Sequence, residues 1–146
     1  MKTIEQRLRS AAPSMLAGTP VLFAYLYGSY AQALSHAFSD LDIGVYIEDE
    51  NMDIKECLDL ELSLALRFDE ELDHRYQTEV RILNHLPLSV KGSILGEAKL
   101  IYSRDEEQRV AFETRVRCAY FDFLPVIRRH RQATIQKAAG SRYGIS

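Results

Sequence analysis

Polar and apolar positions fall into blocks that change period along the chain. Ile4, Leu8, Ala11 and Met15 recur near helical spacing, behind Thr3 and Gln6 in capping-box positions. A first helix is expected there, kinked or ended by Pro13. "PVLFAYLY" is apolar and aromatic without a break, opened by Pro20 and closed by Gly28, the pattern of a buried strand. "DLDIGVYI" is a second such run. After the loop "EDENMD", Asp53 is placed to cap a long helix whose stripe of Ile54, Leu58, Leu62, Ala65, Phe68 and Leu72 is expected to face the core. "TEVRIL" alternates as a third strand, "PLSVKGSILGEA" is a helix with Pro87 in its first turn, and "KLIYS" is a short fourth strand. From Asp105 a helix is expected to run to about residue 135, kinked or interrupted near Pro125.

Helices alternating with short strands predict an α/β (α+β) domain in which helices cover a small sheet. At 146 residues and 47% apolar composition, with no linker or internal repeat, residues 1–146 read as one domain with a real core. No Asp, Glu, Lys or Arg occurs from Ser10 to Ser39, but Pro13, Pro20, Gly28, Ser29, Gln32 and His36 interrupt that stretch too often for a membrane span. "MKTIEQRLRS" lacks the apolar core of a secretory signal, so a cytoplasmic protein is expected. Cys57 and Cys118 have no metal-type spacing and are expected to be small buried hydrophobes in a reducing compartment.

Net charge is −3, which argues against a direct nucleic-acid binder, yet its distribution is lopsided. Residues 1–103 carry 9 basic and 16 acidic side chains, and residues 104–146 carry 9 and 5. A basic C-terminal face for an acidic partner or for phosphates is one reading; ordinary surface variation is the other.

The chemistry concentrates in "GSYAQALSHAFSDLD", residues 28–42. On a strand Asp40 and Asp42 share one face while Leu41 turns to the core. Two carboxylates side by side repel, and a hard divalent ion such as Mg²⁺ removes that cost while also binding nucleotide phosphates. Gly28 allows close backbone approach, and Ser29 supplies a hydroxyl and an N–H at the expected start of a short helix, "SYAQALSHA", which together make a phosphate seat. The spacer returns the second strand beside the first, so seat and carboxylates become neighbours.

Gly-Ser, ten residues and Asp-x-Asp resembles the signature of the DNA polymerase β-like nucleotidyltransferase superfamily. Chain length and the downstream pattern from Glu79 to Phe123 are similar to the minimal nucleotidyltransferase (MNT) antitoxins that pair with HEPN ribonuclease toxins. The resemblance spans about Pro20 to Arg131. It implies a nucleotidyltransferase fold, a small mixed sheet flanked by helices with a C-terminal helix over about 105–135. It also implies transfer of AMP from ATP to a tyrosine of the toxin, in a hetero-oligomer with it. Asp40, Asp42 and a third carboxylate, for which Glu79 is the candidate, would hold two Mg²⁺ ions roughly 3.5–4 Å apart. Gly28, Ser29 and Tyr30 would meet the nucleotide. The chain departs from the family with Glu at 79, where Asp is commoner, and with Gln32 and Ala33, where related antitoxins carry Arg and Gly. That loss of positive charge calls for another base, with the C-terminal helix as a source.

The remaining residues have plainer readings. His36, His74 and His85 read as surface or loop residues, and Tyr25 and Tyr27 as core. Arg128, Arg129 and Arg131 are a solvated helix end or a contact to toxin or triphosphate. Two alternatives to the enzyme stand beside it: a module that neutralises by contact with a vestigial nucleotide site, and a small-molecule nucleotidyltransferase of the antibiotic-modifying type, for which the chain is short.

Overall fold

A computed structural model describes residues 3–31, 40–48 and 51–142. Strands β1 (Val21–Tyr27), β2 (Leu41–Ile47), β3 (Thr78–Ile82) and β4 (Lys99–Ser103) form one mixed sheet in the order β3-β2-β1-β4. β1 is antiparallel to both β2 and β4, whereas β3 is parallel to β2. Helices α1 (Ile4–Leu16) and α2 (Ile54–Glu71) cover one face, and α3 (Leu88–Glu97) and α4 (Glu106–Arg142) cover part of the other. The expected α+β class, its small mixed sheet and its C-terminal helix are all present. No helix among the described residues is long and apolar enough to cross a membrane.

The first face is sealed by Leu8, Ala12 and Leu16 of α1 and by Leu64, Phe68 and Leu72 at the α2 end, packed on Ala24, Leu26, Ile43, Val45, Ile47, Val80 and Ile82. α1 has the expected capping box between Thr3 and Gln6. Pro13 does not stop it. The helix runs three residues further, and the Ala17 N–H returns to the Pro13 carbonyl, because a proline near a helix end forfeits one hydrogen bond that burial of Leu16 offsets.

α2 departs more instructively. Asp53 caps it as expected, through the Glu56 N–H. Its core face, however, is Leu64, Phe68 and Leu72, while Ile54, Leu58, Leu62 and Leu66 are 82%, 53%, 64% and 62% exposed. The predicted stripe began on the outer row and crossed to the inner one at Ala65. Both rows have four-residue spacing, so periodicity alone does not rank them. Two acids fix the orientation: Asp69 accepts from the Thr78 N–H and Glu61 from the Ile82 N–H, each at 2.9 Å. These bonds occupy donors of β3, an edge strand that would otherwise present them for pairing.

α4 is continuous through Pro125 and, at 37 residues, is about 55 Å long. Phe112 and Val116 pack on Phe23 and Tyr25 of the sheet and on Ile94 and Leu95 of α3. Gly92 has no side chain because the Tyr120 ring occupies that space. Glu113 is nearly buried and takes Arg109 and Arg117 as ion-pair partners. Beyond this packed part Phe121, Phe123 and Val126 are exposed, as are Arg128, Arg129 and Arg131. Cys118 is exposed and Cys57 only half-buried, so neither is the buried hydrophobe expected; Cys118 follows the inward Val116 by two residues, which turns it to the opposite, solvent side of α4.

Candidate active site

On the face turned to α3 and α4, side chains stand in rows across the sheet, because residues in register share a face. The outermost row is Tyr27, Asp42 and Glu79, on β1, β2 and β3. The next is Tyr25, Gly44 and Arg81. Tyr25 and Tyr27 are buried as expected, Asp42 is partly buried, and Glu79 and Arg81 are exposed. Asp40, exposed, stands immediately before β2. The structure thus brings Asp42 and Glu79 onto adjacent strands, with Asp40 one alternation away from Asp42.

Gly28 turns the chain at the end of β1 with φ +75°, a conformation that favours glycine. A methyl group at this position would run into the Asp42 carboxylate. Glycine thus suits this position both for its backbone conformation and for its close approach to the Asp42 carboxylate. Ser29 and Tyr30 follow in a turn. The Tyr30 ring meets Tyr76 edge to face, with centroids 5.5 Å apart. The remainder of the expected short helix, with Gln32, Ala33 and His36, lies outside the described residues.

Electrostatics mark this row as crowded. Burial, then the charges of Glu79 and Asp40, raise the Asp42 carboxyl above its ordinary range; Arg81 opposes them and Glu97 adds to them. The Tyr27 hydroxyl is raised by burial and by Asp42, with Arg81 acting in the opposite sense. Tyr30 is raised by burial, Tyr76 and Asp40. An all-carboxylate donor set suits a hard cation such as Mg²⁺, and binding one would relieve the crowding at Asp42. Among the described residues no three His, Cys, Asp or Glu side chains form a finished metal site, so Asp40, Asp42 and Glu79 would have to close around the ion.

Sequence reasoning missed Arg81, Glu97 and Tyr76. The signal for Arg81 was present: in "TEVRIL" it alternates with Glu79 and so shares its face. Glu97 and Tyr76 reach the site from the end of α3 and from the loop before β3, and nothing in their local sequence says so. His74 and His85 are exposed, as expected.

The family model for polymerase beta nucleotidyltransferases matches residues 14–107, a span that holds every residue named in this site. A search of curated protein sequences finds no match. Among solved structures, a chain of a toxin–antitoxin structure with AMP-PNP superimposes with TM-score 0.64 at 19% identity, covering 90% of this chain and 98% of that one. A chain from a complex of tri-AMPylated Shewanella oneidensis HEPN toxin with MNT antitoxin gives 0.62 at 17%, covering 93% and 99%. At these identities the likeness establishes the fold.

Proposed function

This chain belongs to the polymerase beta nucleotidyltransferase family, and from that premise we propose that it is an antitoxin that transfers AMP from ATP to a tyrosine of a HEPN ribonuclease toxin. The observation that carries the reading is the row of Asp42 and Glu79, with Asp40 beside it and Gly28 closed against Asp42. The fold shared with chains of toxin–antitoxin structures, one solved with AMP-PNP, supports the partner and the nucleotide. Adjacent carboxylates of raised energy serve little purpose in a binding surface and a clear one in phosphoryl chemistry.

In the reaction the acceptor phenol oxygen forms a bond to the α-phosphorus of ATP as the bond from that phosphorus to the bridging oxygen breaks, and pyrophosphate leaves. Asp40, Asp42 and Glu79 would hold Mg²⁺, with two ions expected, which neutralises the triphosphate and eases ionisation of the acceptor hydroxyl. Glu79, the most exposed of the row, is positioned to take the acceptor proton. Ser29 and the Gly28 backbone seat phosphate. Tyr30, braced by Tyr76, offers an aromatic face to the nucleotide. Catalysis of this kind rests on positioning and charge. AMP added to the toxin brings bulk and negative charge, which would oppose RNA binding.

The decisive experiment is intact mass of the co-expressed toxin after incubation with this protein, ATP and Mg²⁺, beside Asp40→Ala/Asp42→Ala. Gains in AMP-sized steps that vanish in the variant support the transferase. One observation favours neutralisation by contact alone: the outer row of α2 is exposed and apolar, as a protein-binding surface is. Toxin silenced and unmodified by both forms would select that reading.

A further inference from the structure

The site gathers carboxylates and must also hold a triphosphate, so its cations decide whether that is feasible. Asp40, Glu79 and Glu97 all bear on Asp42, and Arg81 is the basic side chain that opposes them. It occupies β3 two residues beyond Glu79 and on the same face, opposite Gly44. The space over Gly44 is filled by the side chain of Leu83, the next residue on that face just past the end of β3, whose Cδ2 would lie 2.9 Å from a Cβ at position 44. Arg81 is close enough to act on the Tyr27 hydroxyl as well as on Asp42, both in the outermost row. Arg81 thus stands, exposed, one row from Asp42 and Glu79 and on their face of the sheet.

We infer that Arg81 is the triphosphate-gripping residue of this site, holding the β- and γ-phosphates of ATP and the pyrophosphate that leaves. The inference rests on the nucleotidyl-transfer reading above and adds the residue that recognises the leaving group. Three features support it. A planar guanidinium can bind phosphate oxygens through two parallel N–H donors, and its charge is permanent. The carboxylates would be engaged with a cation in the loaded site, which frees Arg81 from Asp42 to face the most negative part of the substrate. Arg128, Arg129 and Arg131 of α4 are exposed, whereas Arg81 stands on the sheet beside the carboxylates.

The test is equilibrium binding of AMP-PNP and of AMP, each with Mg²⁺, to the wild-type chain, Arg81→Gln and Arg81→Lys, with thermal melts of all three. Loss of a charge-assisted pair predicts AMP-PNP binding weaker by about 10- to 100-fold in Arg81→Gln. AMP, which lacks the β- and γ-phosphates, should change by less than about twofold by the same arithmetic. Arg81→Lys should fall between, since it keeps charge but loses the fork. The melts should coincide. Equal weakening of both ligands, or none of either, overturns the assignment, as does a lowered melting temperature that accounts for the loss. A wild-type chain that binds neither ligand would instead overturn the nucleotidyl-transfer reading, and is told apart by its own arm of the experiment.

Discussion

The two faces of the sheet are built from the same alternation of side chains, and they end differently. On the side of α1 and α2, every inward residue from Leu41 to Ile47 is fully covered. On the side of α3 and α4, Phe23, Tyr25, Tyr27 and Leu83 are covered, and cover gives way along the last row at Asp42 and Glu79. The closed face invests its residues in stability. The open end of the other face keeps like charges together at a cost, which is the usual signature of a working site.

Substitutions on each face sharpen this contrast. The largest effect is expected from Asp40→Ala/Asp42→Ala, which should lower AMP transfer by about 10³-fold or more, measured by toxin mass, while leaving the melting temperature no lower. Phe68→Ala, on the closed face, should do the reverse: a loss of about 3–5 kcal/mol in denaturant unfolding, with transfer per folded molecule unchanged. Comparable activity losses from both would erase the distinction.

Two glycines with positive φ then make a paired test. Gly18 (φ +78°) has open space around it, while Gly28 (φ +75°) is against Asp42. Both alanine variants incur a backbone cost of about 1–2 kcal/mol. Gly28→Ala should in addition lose about 10- to 100-fold in transfer rate, since it displaces a carboxylate. Equal activities in the two variants would mean the approach of Gly28 to Asp42 is incidental. Gly92→Ala forces the Tyr120 ring away and should cost about 1–3 kcal/mol, read as a lower urea midpoint with the nucleotide site intact.

The smallest effect concerns pH. The Asp42 carboxyl is raised in the fold, chiefly by burial and then by Glu79 and Asp40, from an ordinary value of 3.8. The folded chain therefore binds that proton more tightly than the unfolded chain, and stability falls as pH climbs through the window above 3.8. Asp42→Asn removes this loss. In EDTA its melting temperature should exceed the wild type's at neutral pH, and the difference should disappear at pH below 3.8. A constant difference at all pH values would assign the effect to packing instead.

How far these faces were legible depends on how local their determinants are. β1 and β2 announce themselves as unbroken runs between turn-forming residues, and the spacing from Gly28 to Asp42 places both ends of the site without knowledge of the packing. Glu79 was found through the resemblance and then met Asp42 in register. α2 was legible as a helix but not in its orientation, because Leu58 and Leu64 belong to rows of equal periodicity and only the bonds from Asp69 and Glu61 to β3 distinguish them. Glu97 and Tyr76 were invisible because their relation to Asp42 and Tyr30 arises from tertiary closure. Pro125 was misleading: a rule that holds for an interior proline yielded to a helix long enough to pass it.

The outer row of α2 has a consequence for the free chain's behaviour in concentrated solution. Ile54, Leu58, Leu62 and Leu66 make a ridge that water solvates poorly. With a net charge of only −3, intermolecular repulsion does little to hold such ridges apart. Colloidal stability should therefore be lowest with salting-out anions such as sulfate, which strengthen apolar association, and should improve when Leu62 is replaced by Lys. The same ridge that would welcome a partner makes the unaccompanied protein prone to sticking to itself.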